Sequence, residues 1–215
     1  FADLRGYGAS RDLAGAYTVE EAASDIFVLA DALGWPEFCV VGHSMSGMIV
    51  QRMLIDDGAP GKRIRAAVAL APVPASGVRF DADTMAFVAA VIHNAELTRQ
   101  YAAVVAGGHA TRAFEEAMAA RQIGENDAAA MRGYMEMWMT SDFSPEAAAT
   151  KVATPLLVVG GRLDLPQYSE AAFATTFASW YPGVEFAYVA DAGHYLPIEA
   201  PLRTAHLVET FFMAH

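Results

Sequence analysis

Four apolar runs constrain this chain more than any other feature: "FCVVG" (38–42), "IRAAVALAPV" (64–73), "PLLVVGG" (155–161) and "VEFAYVADAG" (184–193). Runs of this length with so little charge suit strands buried on both faces, the condition of a parallel sheet covered by helices. Stretches of helical spacing lie between and after them. "YTVEEAASDIFVLADALG" opens on Thr18 with Glu21 three residues later, a capping box, and closes at Gly34. Within it Val19, Ala22, Ile26, Leu29 and Leu33 fall at helical spacing. Further helices are expected over about 45–55, 168–181 and 200–213. Alternating strands and helices predict an α/β fold: a mostly parallel sheet, right-handed crossovers and helices on both faces.

The alternation stops between about 76 and 148, a segment of helical character without a convincing strand. The expected organisation is a core formed by 1–75 and 149–215, with 76–148 as a helical lid. The lid is rich in Met and aromatic residues, among them Met85, Phe87, Tyr101, Phe114, Met131, Tyr134, Met135 and Met137. Each alone would be ordinary core, but together they predict an apolar, adaptable cavity wall. Trp138 and Met139 are the candidate substrate-binding residues.

Composition excludes several classes. With 215 residues, 54% apolar and 18% charged, the chain can bury a sizeable core and is not disordered. A formal net charge of -11 argues against nucleic acid and provides no basic patch for anionic lipid. No run is long and charge-free enough to span a membrane, and no signal-peptide pattern is visible. The single cysteine, Cys39, permits no internal disulfide and is expected as a small buried filler, which fits a reducing, cytoplasmic setting. No His, Cys and carboxylate cluster stands at metal-ligand spacing, and "GYGAS" is too short for a phosphate loop, so neither metal nor cofactor is expected.

The chemistry is concentrated at "VVGHSMSGM" (40–48). A buried strand that ends in a sharp turn into a helix lifts a serine hydroxyl clear of the sheet, and the turn tolerates only small flanking residues. Ser44 has Gly42 before it and Ser46 and Gly47 after it. Ser46 stands where the stricter G-x-S-x-G pattern has glycine and is a minor rival nucleophile. The start of the following helix directs donors at a developing oxyanion, and the Met45 N–H is the one expected there. A serine needs a base. Of six histidines, His194 lies in a Gly-flanked loop after the last strand, at the sheet end that also carries Ser44. His43 is expected to pack or hydrogen-bond beneath the turn, and His93, His109, His206 and His215 read as structural. Asp164, just past the third strand, is the expected acid that orients the base, with Asp191 as rival. The chain order Ser, Asp, His is that of one particular scaffold.

With these residues in view, the sequence resembles the α/β-hydrolase superfamily, in its branch of small esterases, lactonases and cofactor-free haloperoxidase-like enzymes. "DLRGYGAS" (3–10), "GHSMSGM" (42–48), "GRLD" (161–164) and "GHYLPIEAP" (193–201) carry the resemblance. It implies Ser44 as nucleophile, Asp164 as acid and His194 as base, and a serine at 44 sets aside the relatives that use an aspartate nucleophile. The implied activity is hydrolysis of a small, fairly apolar carboxylic ester or lactone through an acyl-enzyme. Perhydrolysis, acyl transfer, C–C bond hydrolysis or cyanohydrin cleavage could use the same triad, and a non-catalytic ligand-binding receptor is a reading of another class. The resemblance also implies that "FAD" (1–3) is the tail of a strand, with a further strand between it and 38–42 and a second oxyanion donor on a preceding loop. The expectation is that a segment outside this chain, or another polypeptide, supplies these parts, because an open apolar strand edge is an aggregation hazard.

Overall fold

The computed structural model describes residues 1–58 and 63–215. Its sheet consists of β1 (Phe38–His43), β2 (Ile64–Leu70), β3 (Leu156–Gly161) and β4 (Glu185–Val189), all parallel and in the order β1-β2-β3-β4. Register brings the carboxyl ends together: His43 lies opposite Leu70, Leu70 opposite Val159, and Gly161 opposite Val189. The loops that leave these ends form one rim.

Side-chain alternation divides β2 between two cores. Ala67 and Ala69 face one, Ala66, Val68 and Leu70 the other. The first core is covered by α1 (Val19–Ala32), α2 (Met45–Asp56) and, after the insertion, by α8 (Glu170–Trp180). The insertion between β2 and β3 holds α3 (Ala82–Val91), α4 (Ala95–Val105), α5 (Arg112–Glu125), α6 (Ala128–Thr140) and α7 (Ser144–Thr150). The side chains of Asp81, Asn94, Thr111 and Asp127 cap α3 to α6 by accepting from first-turn N–H groups. The second core is closed by the short α9 (Leu196–Glu199) and by α10 (Pro201–Ala214), through Leu196, Leu207 and Phe211. Among the described residues no helix is long and apolar enough to cross a membrane.

Several expectations are corrected here. The 64–73 run is strand only to Leu70, where Ala71 turns the chain with φ 41°, and the 184–193 run is strand only to Val189. Cys39 is exposed rather than buried. It shares with Val41 the β1 face opposite the first core, and α10 packs on β2 and β4, leaving β1 residues out of the second core. α1 begins as expected, Thr18 accepting from the Glu21 N–H (3.2 Å) and Glu21 from the Tyr17 N–H (2.9 Å). Its buried residues are Val19, Ala22, Ala23 and Ala30, whereas Leu29 and Leu33 are 41% and 50% exposed. Helical spacing fixes which residues share a face, not how far the neighbouring helix extends beneath them. Residues 1–4 form no strand, and β1 has no outer strand neighbour among the described residues. The segment that follows makes a turn secured by Arg5 to Asp25 of α1 (2.6 and 2.8 Å).

Candidate active site

Ser44 occupies the junction of β1 and α2 with φ 53° and ψ −119°, a conformation that costs a non-glycine residue of order 1–3 kcal/mol. Three main-chain bonds hold it there. Its N–H donates to the Leu70 carbonyl (2.9 Å), and its carbonyl accepts from Gly47 (2.9 Å) and Val73 (3.0 Å). The small neighbours are required by contact. A Cβ on Gly42 would lie 2.3 Å from the Ser46 carbonyl oxygen, and one on Gly47 2.5 Å from the Pro72 ring. Met45, the first residue of α2, puts its N–H among the unpaired donors of the helix start.

His194, in the loop after β4, approaches this turn. Its Nε2 stands 2.8 Å from Ser44 Oγ, and its Nδ1 stands 2.8 Å from Asp164 Oδ2. A carboxylate only accepts, so Nδ1 carries the proton and donates to Asp164, leaving the Nε2 lone pair for the Ser44 hydroxyl. The Asp164 side chain is fully buried, and its other oxygen accepts from the Leu165 N–H (2.7 Å). The sheet end makes this convergence close: a Cβ on Gly161 would fall 2.1 Å from the Gly193 carbonyl oxygen.

The loop that carries His194 is pinned along its main chain. Glu199 accepts from the N–H groups of Gly193 (2.8 Å) and Tyr195 (2.7 Å). The His194 N–H donates to the Val105 carbonyl at the end of α4 (2.9 Å), and the His194 carbonyl lies 2.7 Å from Nε2 of His43. The His43 imidazole is pushed down to about 4, first by burial and then by the nearness of His194. It is therefore neutral near pH 7 and donates from Nε2. The Tyr168 ring packs against the His194 ring at 4.7 Å between centroids.

Ser44 opens onto a cavity of about 170 Å³ beneath the inserted helices. Met131, Met135 and Trp138 of α6 line it. Met139, the other candidate, is buried away from that lining, and its carbonyl accepts from Arg79 instead. At 3.6 residues per turn, Met139 is rotated about 100° from Trp138 and leaves the arc that faces the cavity. Three phenols also line the wall, Tyr7, Tyr101 and Tyr168. Burial pushes Tyr7 and Tyr101 up to about 12, with Asp164 adding to the effect at Tyr101, and raises Tyr168 well above the usual phenol range. All three are neutral donors at pH 7.

Other sequence candidates lie elsewhere. Asp191 is exposed and pairs with Arg203 (2.8 Å). It is the Ser44 hydroxyl that meets His194. His93 stands beside Arg132 and His215 beside Glu185, while His109 and His206 are exposed. Among the described residues no group of His, Cys or carboxylates is arranged to hold a metal ion. Sequence reading missed Glu199, although it lies inside "GHYLPIEAP", and missed Val105, whose contribution is a main-chain carbonyl. It also missed Gln122 and Asn126, which bring amides to a wall of mixed polar and apolar character.

Comparison with known proteins agrees with this architecture. Residues 1–207 match the sequence profile of the Alpha/beta hydrolase family. A non-heme chloroperoxidase from Burkholderia pyrrocinia is 33% identical over 72 residues, which span 34% of this chain and 26% of that protein. An esterase from Exiguobacterium antarcticum superposes with a TM-score of 0.80 at 17% identity, over 97% of this chain and 79% of its own. A bromoperoxidase from Bacillus anthracis does so with a TM-score of 0.81 at 19% identity, over 98% and 80%. At these identities the two structures speak to the fold alone.

Proposed function

The chain belongs to the Alpha/beta hydrolase family, and on that premise we propose that it is a serine hydrolase cleaving small, fairly apolar carboxylic esters or lactones through an acyl-enzyme. The observation that carries the reading is the hydrogen-bonded relay from Asp164 through His194 to Ser44, with the serine facing the cavity.

In this mechanism Ser44 Oγ attacks the substrate carbonyl while His194 Nε2 takes its proton. Asp164 holds the Nδ1 proton and stabilises the imidazolium that forms. The Met45 N–H, at the positive end of α2, donates to the oxyanion. His194 then protonates the departing alkoxide, which in a lactone stays tethered to the acyl group. A water deprotonated by His194 attacks the acyl-enzyme, the acid leaves, and the serine regains its proton. The cavity limits the substrate. About 170 Å³ is close to the roughly 150 Å³ that accommodates benzene in an engineered apolar cavity. An acyl or ring portion up to about that size is therefore favoured.

The test is turnover of short p-nitrophenyl esters and small lactones, with labelling by a fluorophosphonate. Wild-type protein should be labelled at Ser44, and Ser44→Ala should lose turnover while melting as wild type does. Turnover that survives in Ser44→Ala removes the serine from the mechanism. Tight ligand binding without labelling would make the protein a receptor. The match to a chloroperoxidase favours one second reading, perhydrolysis, in which hydrogen peroxide rather than water opens the acyl-enzyme and releases a peracid. Peroxide-dependent halide oxidation in acetate buffer, lost in Ser44→Ala, would distinguish it.

A further inference from the structure

We infer that His43 is a positioning residue for the base: by donating from Nε2 to the carbonyl oxygen of His194, it closes a ring of covalent and hydrogen bonds that sets the reach from His194 to Ser44. The inference rests on the reading of His194 as the base that activates Ser44.

His43 is the last residue of β1 and is bonded covalently to Ser44. Its Nε2 lies 2.7 Å from the His194 carbonyl, and the His194 imidazole in turn lies 2.8 Å from Ser44 Oγ. The turn and the base loop therefore meet twice, through the serine hydroxyl and through the residue before it. Other main-chain anchors of the base loop go elsewhere, among them the Ala192 carbonyl, which accepts from the Leu163 N–H after β3 (3.0 Å). Glu199 takes the N–H groups on either side of His194 and shapes the loop against its own helix, α9. The Val105 carbonyl ties the His194 N–H to the inserted helices. None of these bonds refers to the position of Ser44. The His43 bond does, because any displacement of the base loop relative to the turn must stretch it.

The residue type suits the task. The acceptor is a carbonyl, which needs a donor, and the donor stands beside a ring that must itself become cationic during reaction. The ring centroids of His43 and His194 are 5.1 Å apart. A lysine or arginine there would repel the imidazolium. A histidine held neutral by burial supplies one N–H without a charge.

Three variants separate the donor from the shape. His43→Gln places an amide N–H at about the reach of Nε2, His43→Asn stops short of it, and His43→Phe keeps a ring without a donor. The readouts are kcat and KM for a p-nitrophenyl ester and the rate of fluorophosphonate labelling. His43→Phe and His43→Asn should lose about 10- to 100-fold in kcat and labelling, the scale of a buried bond lost and a base displaced by an ångström. KM should stay within about twofold, and His43→Gln should stay within about threefold of wild type. Wild-type rates in His43→Phe or His43→Asn, or a folded His43→Gln as impaired as His43→Phe, overturn the inference. Should the donor-less variants fail to fold, nitrogen-15 NMR of wild-type protein decides. A proton on Nε2 of His43 with a bare Nδ1 supports the bond, and the opposite tautomer overturns it. The two readings fail separately: inactive Ser44→Ala with fully active His43→Phe sinks only this inference, whereas active Ser44→Ala sinks the triad.

Discussion

Replacing Gln51 with leucine tests how the site is braced from beneath. Gln51 lies in α2, wholly buried, directly below the turn that carries Ser44. Its amide nitrogen donates to the Val73 carbonyl (2.8 Å) and the Gly47 carbonyl (3.0 Å). Its amide oxygen accepts from the Ala75 N–H (3.0 Å) and, more weakly, from the Tyr181 hydroxyl (3.4 Å). Val73 in turn donates to the Ser44 carbonyl and lines the cavity, so this one amide secures the loop that leaves β2. Leucine has nearly the same volume but none of the bonds. It would leave the Val73 carbonyl and the Ala75 N–H without partners where water is excluded. At about 1–3 kcal/mol for each stranded group the loss is about 2–6 kcal/mol. For a chain of this size, about 4 kcal/mol corresponds to a melting point lower by about 8–16 °C. Urea unfolding followed by tryptophan fluorescence measures the loss directly, with an unchanged slope showing that the denatured state is unaltered. A change below about 1 kcal/mol would refute the reasoning, because it would mean that the loop satisfies those groups by another route.

The remaining predictions concern the rim of the sheet. His43 is held near pKa 4 in the fold against 6.5 ordinarily, so between those values the unfolded chain binds a proton that the folded chain does not. Stability should therefore fall as pH drops from about 6.5 towards 4, by up to about 3 kcal/mol, and urea midpoints of His43→Gln should lose that part of the slope. Gly161→Ala would place a Cβ 2.1 Å from the Gly193 carbonyl oxygen and 2.4 Å from that of Ala192, so the base loop must move. Labelling of Ser44 should slow by about 100-fold, and an unchanged rate would contradict the packing described. Glu199→Gln can accept only one of the two N–H groups the carboxylate now holds. A cost of about 1–3 kcal/mol in urea, with kcat lower and KM unchanged, is expected.

The fold was legible where burial and pairing coincide, and less so where they part. The four apolar runs become the four strands, but Ala71, Pro72 and Val73 belong to a loop that is itself buried, Ala71 in the second core and Val73 in the first. Ala192 is likewise apolar and buried beyond the end of β4. Apolar content marks what is hidden from water, whatever hides it, so it overshoots a strand whose exit loop is also covered. Cys39, Leu29 and Leu33 show the converse. They are apolar yet exposed, because whether the face that carries them is covered depends on elements far away in sequence, α10 and α2.

The site divides along a chemical line. Ser44, His194 and Asp164 could be picked out because each follows an apolar run, in a loop or turn with glycine close by, and they occur in a telling order, and the structure brings those three together. The groups that hold them are harder to see, because so many are main chain. The Val105 carbonyl could belong to any residue, and nothing in its side chain announces that it anchors His194. Glu199 and Gln51 act on backbone N–H and carbonyl groups, so their partners carry no signature either. His43 lies between the two cases. Its identity is conspicuous beside Ser44, yet its role follows only from the neutral tautomer and the carbonyl it reaches. Reactive groups must be particular side chains, whereas the scaffold that orients them can be assembled from groups every residue possesses. Substitutions at Gln51, Glu199 and His43 therefore probe a layer of the site that motif reading passes over, and their effects should appear in kcat and stability rather than in the affinity for substrate.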